Sequence, residues 1–138
     1  MIGIVLVAHE QIAGEMLLAV EHIVGPQALT ETLSIAADAD VDACKERLQK
    51  LIKRCDNGEG VLLLSDMFGG TPCNLALSCL DENRIEVLSG LNLPMLVKAA
   101  SLRKTLSDVH ELARQVQEAG RHHIHLASEL LSGEEKNA

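Results

Sequence analysis

Aromatic side chains are almost missing from this chain of 138 residues, which contains one Phe and neither Tyr nor Trp. Proteins that bind single-stranded nucleic acids stack the bases on aromatic rings, so this scarcity argues against a nucleic acid partner. Positive charge is also in short supply, since the net charge is -8. A polyanion is bound by a basic surface, so this charge also argues against a nucleic acid partner. A hydrophobic content of 47% nevertheless predicts a core of aliphatic side chains in a single domain.

Cysteine motifs, long apolar runs and nucleotide-binding motifs are missing as well. None of the four cysteines forms a C-x-x-C pair, which argues against a zinc knuckle or a thioredoxin site. The apolar run at residues 2–8 is too short for a signal peptide, and no run reaches membrane-spanning length. Neither a Walker A motif nor G-x-G-x-x-G occurs, so no nucleotide cofactor is predicted. We therefore expect a cytoplasmic protein whose thiols stay reduced.

Short apolar runs alternate with amphipathic stretches along the chain. Strands are predicted at residues 2–8, 29–36, 61–64, 85–88 and 124–127, and helices at 11–24, 41–55, 71–80, 92–100 and 105–120. This alternation predicts an α/β fold, a doubly wound, mainly parallel sheet of flavodoxin-like strand order with helices on both faces. No linker divides the chain, so one domain is expected at residues 1–130, followed by a polar tail at 131–138 that we expect to be disordered.

Two polar residues follow strands that should lie side by side in such a sheet. His9 comes directly after the first strand, and Asp66 follows the third. Ligands bind where the winding direction reverses, which lies between the first and third strands of a flavodoxin-like sheet. We therefore expect the two side chains to face each other. A neutral imidazole is a good nucleophile toward phosphorus near pH 7, and a carboxylate on its other ring nitrogen would fix the tautomer.

The segment between Asp66 and the next predicted helix has the features of an anion-binding loop. Gly69 and Gly70 allow a tight turn, and the start of a helix attracts negative charge. Thr71 is expected either to cap that helix, with Pro72 at its first position, or to donate its hydroxyl to a phosphoryl oxygen. Each feature alone is more often an ordinary turn or cap, and only their meeting at the predicted switch point favours an anion site.

Three blocks of the sequence resemble a known family. They are IGIVLVAH at residues 2–9, LLLSDMFGGTPCNLA at 62–76 and LSGLNLPMLVKA at 88–99. Together they resemble the mannose-family IIA (EIIA) components of the bacterial phosphoenolpyruvate:sugar phosphotransferase system (PTS). The similarity in pattern runs from residue 1 to about residue 126, which is nearly the whole chain.

The resemblance implies a phosphocarrier. His9 would be phosphorylated by the phosphocarrier HPr, Asp66 would pair with it, and residues 69–71 would bind the phosphoryl group. A IIB component would accept the group and link the protein to a membrane permease. The resemblance also implies a homodimer in which the C-terminal strand, residues 124–127 here, crosses to the partner's sheet. Two roles stay open: phosphotransfer for sugar uptake, and a stand-alone regulatory IIA whose phosphorylation state controls a non-transport partner.

Other features of the sequence qualify this interpretation. The family usually has Thr-His-Gly where this chain has Ala8-His9-Glu10, and a carboxylate beside His9 would oppose an approaching dianion. A receiver domain phosphorylated on Asp is disfavoured, because no acidic pair follows the first strand. No metal site is predicted, since no Cys or carboxylate completes a ligand set with the histidines at 122, 123 and 125. His22 and His110 are expected to face solvent.

Overall fold

The computed structural model of the protein describes residues 1–133, which form one open α/β sheet with helices on both faces. The strands are β1 (Gly3–His9), β2 (Thr30–Ile35), β3 (Val61–Ser65) and β4 (Ile85–Leu88). The helices are α1 (Ile12–Val24), α2 (Val41–Cys55), α3 (Gly70–Leu77), α4 (Leu93–Leu102), α5 (Val109–His122) and α6 (Ala127–Ser132). The strand order is β2-β1-β3-β4 and all pairs are parallel, which confirms the predicted flavodoxin-like sheet.

The sheet separates two apolar cores, because the side chains of a strand point alternately to its two faces. On one face, Ile4 and Leu6 of β1 pack with α1, α4 and α5. On the other, Val5 and Val7 pack with α2 and α3. A central strand of this kind is buried on both sides, which is why β1 and β3 are continuous apolar runs in the sequence.

Arg103 closes the end of the molecule where β1 begins. Its side chain is 2% exposed, and its guanidinium donates to the carbonyls of Ile2, Leu29 and Ala28 and to the side-chain oxygen of Gln27. This one side chain therefore joins the end of α4 to the start of β1 and to the loop before β2. No sequence pattern identified it.

The predicted strand at residues 124–127 is wrong. Residues 124–126 have no regular structure, and α6 begins at Ala127. A strand needs a neighbour with unpaired backbone groups, and both outward N–H groups of β4 already donate within the chain, as described below. The predicted tail at 131–138 is also affected, since α6 continues to Ser132, while residues 134–138 lie outside the described part of the chain. Within residues 1–133, no helix has the length and hydrophobicity needed to cross a membrane.

Candidate active site

The ends of β1 and β3 bring His9 and Asp66 together, as the strand order predicted. His9 is the last residue of β1, and Asp66 directly follows β3, its neighbour in the sheet. The two atoms in contact are His9 Nδ1 and Asp66 Oδ2, which lie 2.8 Å apart. The backbone N–H of His9 donates to the same oxygen at 3.1 Å. The carboxylate therefore holds both the ring and the main chain of the histidine.

The carboxylate of Asp66 is itself fixed and charged. Its second oxygen, Oδ1, accepts from the backbone N–H of Met67 at 3.1 Å and from the hydroxyl of the buried Ser65 at 3.5 Å. Burial acts to raise the pKa of Asp66, but the hydrogen bonds from the side chain and backbone of His9 outweigh it, and the pKa lies below its usual value. The backbone contribution from Met67 was not predicted, because it depends on how the chain turns after β3.

The second ring nitrogen of His9 is left available for chemistry. Because Nδ1 faces a carboxylate, it carries the proton, and Nε2 keeps its lone pair. The ring is 41% exposed, so a reactant can approach it. A Cβ atom at Gly70 would lie 3.3 Å from both Nε2 and Cε1, so the glycine loop passes directly beside the free nitrogen.

The glycine loop differs in detail from the prediction. Gly69 and Gly70 have φ angles of 87° and 78°, in the left-handed region that glycine adopts without a steric penalty. These two glycines lead the chain into α3, which begins at Gly70 with Gly69 at the N-cap and no side-chain cap. The expectation that Thr71 caps the helix is therefore wrong, as is the first helical position expected for Pro72. Thr71 is exposed, which keeps its hydroxyl available to a ligand.

Glu10 lies beside the site in a strained backbone conformation. Its φ angle is 49°, which L-residues other than glycine seldom adopt, and its N–H donates to the carbonyl of Ile35 at 3.0 Å. The chain must bend here to leave β1 and enter α1. The geometry therefore suits glycine, the residue that the mannose-family IIA components usually have at this position.

A cavity of about 400 Å³ lies next to the site, beyond Phe68 and the end of β4. The segment after β4 forms one wall, with Ser89, Gly90 and Asn92 among its lining residues. The Asn92 side chain has a structural task there, because it caps α4 through the N–H of Met95 and donates to the carbonyl of Gly120. The arrangement makes Asn92 a support of the cavity wall.

Of the remaining histidines, His22 is exposed as predicted, whereas the others differ from the prediction. His110 does not simply face solvent, because its ring contacts Glu86 and the carbonyl of Glu82. The rings of His122, His123 and His125 pack edge to face, on a segment that is not a strand. Among residues 1–133, no group of three or more His, Cys, Asp or Glu side chains is placed to hold a metal ion.

Known proteins are similar to this chain in both sequence and architecture. Residues 3–117 match the model of the EIIA-man family, described as the PTS system fructose IIA component. The chain is 30% identical over 121 residues to the PTS system mannose-specific EIIAB component of Escherichia coli (strain K12). That alignment covers 87% of this chain, which spans 38% of the length of the relative.

Solved structures give the same result. Phosphotransferase system component EIIA from Streptococcus agalactiae has a TM-score of 0.84 and 30% sequence identity, over 93% of this chain and 98% of that one. The mannose/sorbose specific IIA subunit from Enterococcus faecalis has a TM-score of 0.81 and 29% identity, over 91% and 93%. Since the family model covers most of the residues and the fold agrees, the chain belongs to the EIIA-man family, the fructose and mannose IIA components of the phosphotransferase system.

Proposed function

We propose that this protein is a phosphocarrier in which His9 accepts a phosphoryl group from HPr and passes it to a IIB component. The observation that carries the proposal is the orientation of His9, whose Nδ1 is held by Asp66 while Nε2 faces the loop at Gly70. Membership of the EIIA-man family supports the same role. Through IIB, the group would reach a sugar at a membrane permease, and the carrier itself would work in the cytoplasm.

The proposed transfer is a displacement at phosphorus. The lone pair of His9 Nε2 attacks the phosphorus while the bond between phosphorus and the donor breaks, and the bonding electrons leave with the donor. The His9 ring becomes positively charged, and the carboxylate of Asp66 stabilises that charge while the proton stays on Nδ1. In the second transfer, the acceptor attacks phosphorus and the electron pair returns to Nε2.

The loop at residues 69–71 would bind the phosphoryl oxygens. Backbone N–H groups at the start of a helix carry partial positive charge, and Gly70 places this helix start against the His9 ring. The exposed hydroxyl of Thr71 adds a further donor. Phosphoryl transfer depends chiefly on such positioning and charge stabilisation, so these residues supply what the reaction needs.

The test is phosphorylation of the purified protein by phosphoenolpyruvate, enzyme I and HPr, followed by intact mass under mildly alkaline conditions. We expect one phosphoryl group on the wild type and on His22→Ala, the matched control on the exposed side of α1, and none on His9→Ala. Asp66→Ala should fold but accept the group about 10²- to 10⁴-fold more slowly, as when other orienting groups are lost. A phosphorylated His9→Ala protein would contradict the proposal.

The acceptor step distinguishes transport from regulation. If the protein serves sugar uptake, the phosphorylated form should lose its group when a IIB component encoded near it is added. Retention of the group on His9 in the presence of that IIB component would favour the stand-alone regulatory IIA instead. The measurement is the same intact mass, taken before and after the addition.

The homodimer is also part of the proposal. Ile124, Leu126 and Leu131 near the chain end are 72%, 60% and 87% exposed. Such an apolar segment favours burial against a second copy, and the outer edge of β4 is the sheet edge that it would meet. Sedimentation velocity should show a dimer that Leu126→Ser weakens, whereas Leu18→Ser, at an exposed leucine of α1, should not. A monomer at every concentration would contradict the homodimer.

A further inference from the structure

The outward N–H groups of β4 are both engaged by bonds within the chain itself. The carbonyl of Arg84 accepts from Val61 in β3, so the backbone groups of every second residue after it point inward. The backbone groups of Ile85 and Val87 therefore point outward, because the N–H and C=O of one strand residue share a direction. Ile85 exchanges both of its bonds with Asp81, at 2.8 and 3.2 Å.

The remaining outward donor of β4 is covered by a side chain. The N–H of Val87 donates to Oε1 of Glu86 at 2.9 Å. Oε2 of the same carboxylate contacts Nδ1 of His110 at 2.9 Å. An incoming strand must displace this carboxylate before it can pair with Val87.

His110 holds both of these blocks at once. Its Nδ1 contacts Glu86, which covers Val87, and its Nε2 contacts the carbonyl of Glu82, in the turn that begins with Asp81. Both partners are hydrogen-bond acceptors, so only the doubly protonated ring, an imidazolium, can donate to both at once. A neutral ring has one N–H and can hold only one of the two.

We propose that His110 is a latch on the edge of β4, closed when the ring carries both protons, and that its opening makes this edge available to a second copy of the chain. The proposal rests on the homodimer proposed above. The occupant follows from the exposed apolar residues Ile124, Leu126 and Leu131, the first of which lies beside the same edge, since Ile124 and Val87 line one cavity.

The charges around His110 favour the closed form at low pH. The carbonyl of Glu82 and the carboxylate of Glu86 raise the pKa of His110, and Asp108 at the start of α5 acts in the same direction. Arg114 of α5 lines the same small cavity as His110 and Glu86, and its guanidinium is paired with Glu111. Because the folded pKa is raised, the latch is fully closed below about 6.5, the unfolded value, and opens as the pH rises through the folded pKa.

Two measurements on the full chain test the latch. The first is amide exchange of Val87 by NMR at a concentration where the chain is monomeric, expressed as a protection factor. We expect protection to fall about tenfold as His110 titrates, and to be low at every pH in His110→Gln. The second is the dimer dissociation constant, measured by sedimentation. As the pH rises, it should fall by up to about tenfold per pH unit for each latch that must open.

His22→Gln is the matched control, because it removes an exposed histidine from α1 and should keep both pH dependences. Protection of Val87 that stays constant while His110 titrates would overturn the latch, as would a His110→Gln protein with the wild-type pH dependence. If Val87 responds but the chain stays monomeric throughout, the latch is supported and the homodimer is the proposal that fails.

Discussion

At the scale of single residues, Gly70 determines how much room the free nitrogen of His9 has. A Cβ atom there would lie 3.3 Å from Nε2, and the φ angle of 78° would strain any other residue. Space and backbone conformation thus both require glycine at this position, as at few others in the chain.

Gly70→Ala should therefore impair both stability and phosphorylation. The left-handed backbone costs about 1 kcal/mol for alanine, and the added methyl group occupies the approach to Nε2. We expect the rate of phosphorylation in a single-turnover assay to fall by more than tenfold. Gly14→Ala, in α1, is the control, because its added Cβ would meet no atom within 4 Å and should leave the rate unchanged. An unaltered rate in Gly70→Ala would mean that phosphorus approaches from another side.

Glu10 poses the opposite question, since a residue with a side chain occupies a position suited to glycine. Glu10→Gly should stabilise the fold by about 1 kcal/mol in urea unfolding, because the φ angle of 49° is no longer strained. It should also speed phosphorylation by HPr, because one negative charge is removed from beside the site. Glu10→Ala separates the two effects: it should speed the reaction without adding stability. A rate equal to wild type in both variants would show that the carboxylate does not face the reactant.

At the scale of elements, Arg103 joins α4, β1 and the loop before β2 at the end of the sheet far from His9. A substitution there should therefore change the stability of the fold without changing the chemistry at His9. Arg103→Met should lower the free energy of unfolding by about 3 kcal/mol, since buried carbonyls lose a charged donor. Below the unfolding transition, phosphorylation of His9 should proceed at the wild-type rate. Lys104→Met, at the exposed neighbour, should change neither the free energy of unfolding nor the rate. A stable Arg103→Met protein would mean that water replaces the guanidinium.

The central strands β1 and β3 were predictable because buried parallel strands are short, continuous apolar runs, whereas the strand predicted at residues 124–127 was wrong. The meeting of His9 and Asp66 followed from the predicted strand order alone. The start of α3 was missed because two left-handed glycines, and not the expected Thr71 cap, begin the helix. The contacts of His110 were missed because they join residues 24 and 28 positions apart, which local periodicity does not register.

At the scale of the whole molecule, the titrating groups set a window of pH for stability. Burial acts to raise the pKa of Asp56, but its hydrogen bond from Arg84 and the bonds from two backbone N–H groups lower it, and the pKa of Asp66 is lowered by His9. Their contributions to stability are present above about pH 3.9 and are lost as the pH falls through the lower folded values. The contribution of His110 to stability has the opposite pH dependence. It is present at low pH and is lost as the pH rises, because the folded pKa is raised.

We therefore expect the free energy of unfolding, measured in urea across the pH range, to be highest between about pH 4 and pH 6.5. Asp56→Asn should flatten the acid side of the profile, and His110→Gln should flatten the decline toward pH 8. Asp38→Asn, at an exposed loop position, is the control and should leave the shape unchanged. A profile that keeps rising through pH 8 would contradict the assigned direction for His110.

Two hydrogen bonds join His9 to one oxygen of Asp66, one from the ring and one from the main chain. They tie the orientation of the proposed nucleophile to the register of β1 and β3. If β1 slid by one residue, its alternating side chains would exchange faces, and the imidazole would leave the carboxylate altogether. A chain with such a slip would keep its helices and much of its compactness and still be inert. The phosphorylation proposed for His9 would thus be a sensitive measure of correct strand register, and it would reveal errors that circular dichroism does not detect.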